Sequence, residues 1–195
     1  MAKDKKVILL VIRRGVSEIE WIAPVINKFN FDFELFTLYL SKASYISCKT
    51  DNLSFSTIDI IQKNKFILTK KDKFLQRFLR KFSKNDFLYS SLTKAIHDIE
   101  FLKTKLGIPK YKKIDLVLTE FGNYSFWLNA IKKKESSTIV HFPSTPSVYL
   151  KSQNKSKIKI RKIPGDYLIV NSNLDVNYWS KYIKKNKIFY FGVPM

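Results

Sequence analysis

Along this chain, short continuous apolar runs alternate with longer stretches in which apolar residues recur every three or four positions. The first pattern predicts strands buried on both faces, as in a parallel sheet, and the second predicts helices. Ile114 to Thr119 is such a run, rich in branched residues. Glu120-Phe121-Gly122-Asn123 breaks it. Tyr124 to Lys133 then reads as a helix, with Phe126, Trp127, Ala130 and Ile131 at helical spacing and lysines at the end that suits the helix dipole. Val7 to Ile12 is a second doubly buried strand, followed by the turn Arg13-Arg14-Gly15-Val16. Ser17 is the expected N-cap, with Glu20 as its capping-box partner, and a helix runs from Glu18 to about Asn27 with Pro24 awkward inside it. Phe31 to Leu40 is the next strand, so the chain opens as β-α-β with a right-handed crossover.

Ser41 to Thr57 is polar and reads as irregular, and Ser56 to Ile61 and Lys65 to Leu68 are short candidate strands. Lys71 to Phe82 predicts a basic amphipathic helix with Phe74, Leu75, Phe78, Leu79 and Phe82 on one stripe. The stripe fits a core helix with a solvated basic face, an interfacial membrane helix, or an acceptor or nucleic-acid groove. Asp86 to Leu106 predicts a longer helix stopped by Gly107. Residues 71–107 thus read as a helical insertion projecting near the rim of the sheet. Ser137 to Phe142 is another strand, Tyr149 to Lys162 an exposed loop, and Tyr167 to Val170 a strand. Asn171-Ser-Asn-Leu-Asp175, then a helix through about Lys185 and a last strand, Lys187 to Phe191, close the chain. The fold class is α/β: a Rossmann-like, mainly parallel sheet with helices on both faces, a single domain spanning residues 1–195.

Composition narrows the picture. With 195 residues, 45% of them hydrophobic and 15% aromatic, the chain can pack a full core. Lys+Arg 36 against Asp+Glu 16 gives a net charge of +20. The lysines are spread beside abundant Ile, Asn, Phe and Tyr, which is a compositional habit before it is a binding signal. The field still favours anionic partners such as phospholipid head groups, sugar nucleotides or acidic glycans. Cys48 is the single cysteine, so neither an internal disulfide nor a cysteine metal cluster is expected. The apolar run Val7 to Ile12 is too short for a signal peptide or a span, and the expectation is a cytoplasmic protein that touches a membrane peripherally.

Ligands of open α/β sheets sit beyond the carboxyl ends of the strands. After the first strand lie Arg13, Arg14, Ser17, Glu18 and Glu20; the central strand supplies Glu120 and Asn123; His141, Ser144 and Thr145 follow the next. If these strands are neighbours, the groups converge on one rim. Glu120 is then the leading candidate for a general base, with Glu18 and Glu20 behind it, and the arginines suit an anionic group. Each has a structural alternative: Glu18 or Glu20 can cap a helix, Glu120 can accept backbone N–H groups, and His141 can be a satisfied core histidine. Neither Gly-x-Gly-x-x-Gly nor a Walker phosphate loop occurs, and no metal spacing is present, so no cofactor is expected.

The opening Lys6-Val-Ile-Leu-Leu-Val-Ile-Arg-Arg-Gly-Val-Ser-Glu-Ile-Glu20, then Asp115-Leu-Val-Leu-Thr-Glu-Phe-Gly122, Thr138-Ile-Val-His-Phe-Pro143, Asp166-Tyr-Leu-Ile-Val-Asn-Ser172 and Phe191-Gly-Val-Pro194, resembles the N-terminal half of GT-B glycosyltransferases of bacterial surface polysaccharide assembly. Kdo transferases and the CDP-glycerol glycerophosphotransferase group, of lipopolysaccharide and capsule type, are similar in style. The resemblance implies a domain that binds a glycan or lipid-linked acceptor and supplies the base, while a C-terminal half missing here binds the sugar nucleotide. The competing expectation is a non-catalytic basic module for nucleic acid or an anionic membrane. Nucleic acid is the weaker partner, since no RNA-binding signature appears.

Overall fold

The computed structural model describes residues 5–13, 15–50, 61, 63–72, 91–120, 126–142, 165–170, 172–180 and 183–190. Within them the order is β1 (Lys6–Ile12), α1 (Val16–Ile26), β2 (Phe33–Tyr39), α2 (Lys42–Thr50), β3 (Lys65–Ile67), α3 (Ser91–Leu106), β4 (Leu116–Glu120), α4 (Phe126–Glu135), β5 (Thr138–Phe142), β6 (Tyr167–Val170), α5 (Asn173–Trp179) and β7 (Ile188–Tyr190). The seven strands form one sheet in the order β3-β2-β1-β4-β5-β6-β7. Every pairing is parallel. The α/β, Rossmann-like architecture expected from the apolar runs is the architecture observed.

Helices cover both faces, and side-chain alternation divides the core between them. On one face Ile8, Leu10 and Ile12 of β1 meet Ile19, Ile22, Ala23 and Ile26 of α1, with Cys48 of α2 and Ile61. On the other, Val7, Leu9 and Val11 meet Ile99, Leu102 and Leu106 of α3 and Leu128 and Ile131 of α4. A smaller cluster joins Leu168, Val170 and Ile188 to Tyr178 and Trp179 of α5. Lys103 of α3 and Glu135 of α4, only 5% and 9% exposed at the side chain, form an ion pair at 2.7 Å. The second oxygen of Glu135 accepts the Ile114 N–H at 2.9 Å, so one carboxylate ties both helices to the start of β4.

Several boundaries differ from expectation. Residues 42–50, read as irregular, are helix α2. Ser41 caps it, its Oγ accepting the Ser44 N–H at 3.0 Å. The expected strand 56–61 lies outside the described residues except Ile61, which is helical and buried. Of the expected helix 71–82, Lys71 and Asp72 are helical, led in by Thr69, whose Oγ1 accepts the Asp72 N–H at 3.2 Å. The remainder of that helix, residues 86–90 and the loop 149–162 lie outside the described residues. Within the expected insertion, α3 is a crossover helix packed on the sheet. It ends at Gly107, with φ +74°, where the Ile108 N–H bonds Lys103 O and the Gly107 N–H bonds Thr104 O in a Schellman closure. The last helix stops at Trp179 rather than near Lys185 and is followed by a 3-10 turn, Lys185–Lys187.

Candidate functional site

Connections run leftwards from β1 to β2 and β3, then return across the sheet to β4 and continue rightwards. The point between β1 and β4 is therefore the topological switch, where an open parallel sheet leaves a crevice beyond its carboxyl ends. Two segments meet there: the turn from β1 into α1, and the end of β4.

The turn is closely determined. Gly15 takes φ 110° and ψ −121°, a region that side chains disfavour. A Cβ there would also lie 1.9 Å from Ser47 Oγ and 3.1 Å from Ser44 O, because α2 presses against the turn. Ser44 Oγ donates to Arg13 O, fixing α2 to the turn from the other side. Glu18 is buried, and its Oε2 accepts the Arg13 N–H at 2.6 Å and the Gly15 N–H at 3.3 Å. The N-cap is Gly15, not Ser17, and Glu18 rather than Glu20 reaches back from the third helical position. Ser17 lies in the first turn of α1, and Glu20 is exposed further along it. Arg13 stands exposed at the rim.

Glu120 is the last residue of β4 and only 2% exposed. It pairs in register with Phe142 of β5, while Thr119 pairs with Val11 of β1 and with His141 of β5. Alternation along β4 sets Glu120 on the face of Leu116 and Leu118, which α1 covers. His141 shares the face of Thr119 and Ile139, which α3 and α4 cover. The two residues thus reach the same rim on opposite faces of the sheet. His141 is buried, and its Nδ1 lies 3.5 Å from the backbone oxygen of Glu120, as donor in the tautomer that protonates Nδ1. Its other edge meets Gly165, where a Cβ would fall 2.4 Å from Cδ2 and 2.6 Å from Nε2. The imidazole is held between the end of β4 and the chain leading into β6. Arg14, Asn123, Ser144 and Thr145 lie outside the described residues.

Three groups near this rim escaped sequence reasoning. Ser44 and Ser47 brace the turn. Tyr39, the last residue of β2, is buried beside Tyr45, with ring centroids 5.3 Å apart. Burial foremost, then Cys48 and Tyr45, pushes its phenol well above the usual tyrosine range, so it stays neutral. An aromatic closing an apolar run was the available signal. At the opposite edge, Asp166 accepts from Lys132 Nζ and from the Ile139 N–H at 3.0 Å. Burial raises its pKa, but those hydrogen bonds and the charges of Lys132 and Lys187 outweigh it and hold the carboxyl below the ordinary 3.8.

Chemically, the described residues of the switch point offer two buried carboxylates, Glu18 and Glu120, an exposed guanidinium and a rigid turn. Among the described residues no group of three His, Cys, Asp or Glu could hold a metal ion. No described helix is long and apolar enough to cross a membrane.

No family model matches the chain, and no curated protein matches it. Among solved structures it is similar to Phytolacca americana UGT2 complexed with UDP-2fluoro-glucose and pterostilbene, at 9% identity and a TM-score of 0.49. The match covers 100% of this chain and 55% of that one, so the chain spans about half the length of the structure it matches.

Proposed function

We propose that this chain is the acceptor-binding domain of a glycosyltransferase that adds a sugar to a surface polysaccharide or lipid-linked acceptor, working at the inner face of a membrane. The observation that carries the reading is the placement of Glu120, buried at the carboxyl end of β4 beside the topological switch. The motifs that resemble Kdo transferases and CDP-glycerol glycerophosphotransferases point the same way. In this reading the Glu120 carboxylate takes the proton of the acceptor hydroxyl as that oxygen attacks the sugar carbon, and the nucleotide leaves with the bonding pair. Arg13 and Arg14 hold an anionic group of the acceptor, and Asn123, Ser144 and Thr145, which follow β4 and β5 in the sequence, contribute hydrogen bonds. Glu18 shapes the turn that presents Arg13, and His141 fixes the end of β4 from behind. The sugar nucleotide binds a second domain, so calorimetry that found micromolar binding of a sugar nucleotide to this chain alone would overturn the half-enzyme reading.

The decisive experiment is Glu120→Gln in the complete enzyme. Turnover should fall by roughly two to four orders of magnitude, while folding and acceptor binding stay near normal. Unchanged turnover in a folded variant would move the base to Glu18 or Glu20, in the helix that follows the neighbouring strand. The competing reading, a non-catalytic basic module for nucleic acid or anionic membrane, draws on the net charge of +20. It requires that Glu120→Gln change nothing and that binding weaken steeply with salt.

A further inference from the structure

In an all-parallel sheet every strand starts at the same edge, so whatever precedes the strands is gathered there. Here it is lysine. Lys5, Lys63, Lys110, Lys113, Lys184 and Lys185 precede β1, β3, β4 and β7, and all six are exposed. Among the described residues none of the six has a carboxylate within ion-pair distance. The acids of that edge are largely committed elsewhere. Asp115 accepts the Val7 N–H at 2.9 Å and lies 3.5 Å from Lys6, Glu34 pairs with Lys112 at 2.8 Å, and Asp166 pairs with Lys132. Asp32 is the exposed acid left among them.

Aromatic rings stand between the lysines. Tyr111, on a turn closed by the Lys112 N–H to Pro109 O bond at 3.0 Å, is 87% exposed. Phe31 before β2 and Tyr167 at the start of β6 are 43% and 40% exposed. Lys5, Lys6, Tyr111, Lys112 and Lys113 border an open groove of about 190 Å³.

We infer that this amino-terminal edge is a docking surface for an anionic lipid bilayer. Seven strands at about 4.8 Å spacing make an edge about 29 Å wide, a breadth that suits a bilayer surface. Lysines near such a surface are attracted by its potential, and tyrosine and phenylalanine sit well at head-group depth. The aromatics are two strands apart, about 10 Å along the edge. Docked this way, the Glu120 rim stands one strand length, roughly 20 Å, above the lipid. That height suits the growing end of a glycan better than its lipid anchor. The surface itself does not depend on the chemistry of the opposite rim.

The test is cosedimentation of the full chain with vesicles of phosphatidylcholine alone or with one third phosphatidylglycerol. One variant carries Lys5→Gln, Lys110→Gln and Lys113→Gln. A second removes the same number of charges from the sequence-predicted amphipathic helix, as Lys73→Gln, Arg77→Gln and Lys81→Gln. The wild-type chain should prefer the anionic vesicles, the edge variant should bind them roughly ten- to a hundredfold more weakly, and the helix variant should bind nearly as the wild type. Circular dichroism checks that both variants fold. Equal losses in the two variants would reduce the effect to net charge and overturn the docking surface. So would a loss confined to the helix variant, or a wild-type chain that ignores the vesicles and binds a single-stranded oligonucleotide instead.

Discussion

Replacing Glu18 by alanine separates the structural work of the β1–α1 turn from the chemistry of the rim. The buried carboxylate is the acceptor for two backbone donors, Arg13 N–H at 2.6 Å and Gly15 N–H at 3.3 Å. Removing it strands both, at about 1–3 kcal/mol for each buried donor left unsatisfied, and the rim position lets water recover part of that. Loss of a helix cap costs about 0.5–2 kcal/mol when measured alone, so the two accounts overlap and a total of about 2–4 kcal/mol is expected. For a chain of this size each kcal/mol is worth about 2–4 °C in melting temperature, which places the fall at roughly 5–15 °C. Glu18→Gln keeps one oxygen acceptor and should lose about half as much. The assay is thermal unfolding followed by circular dichroism, repeated in urea so that the midpoint and slope are read separately. An Ala variant that melts within a degree of the wild type would refute the claim that this carboxylate holds the turn. A complete enzyme that lost turnover without losing stability would return Glu18 to the list of candidate bases.

Two further perturbations act at other points. Lys103→Met leaves the Glu135 carboxylate buried without its cation, and should cost about 3–5 kcal/mol in urea unfolding; a cost below about 1 kcal/mol would mean that the pair is solvated. Asp166 is held below its ordinary pKa of 3.8 in the folded state, so its contribution is present above about pH 4 and is lost as pH falls through the folded value. Asp166→Asn should therefore lower stability at pH 7 by about 1 kcal/mol, a modest figure because the pair is partly exposed, and the gap from wild type should close towards pH 3. A gap that widened in acid would contradict that sign.

How much of this was legible beforehand depends on which physical signal each feature leaves. The runs Val7–Ile12 and Tyr167–Val170 are apolar throughout, carry no polar interruption, and fall within a residue of the observed strands. Helix α2 leaves no such signal. Its sequence, KASYISCKT, is held by the Ser41 cap, a local signal inside a polar stretch, and by contact with Gly15, which is a tertiary fact. The α1 cap was misplaced for a related reason. Gly15/Glu18 and Ser17/Glu20 have the same three-residue spacing, and the backbone angles of Gly15 choose between them.

The candidate site divides in the same way. Strand ends located Glu120 and His141 at one rim, but the face each takes depends on register. Because His141 pairs with Thr119 and not with Glu120, the two side chains part to opposite sides of the sheet. The imidazole does meet the backbone of the other residue, with Nδ1 3.5 Å from the Glu120 oxygen. The lysines show the reverse case. Scattered one or two before four of the strands, they looked like a habit of composition. Parallel pairing brings them to a single edge, which turns a compositional bias into a surface with a direction.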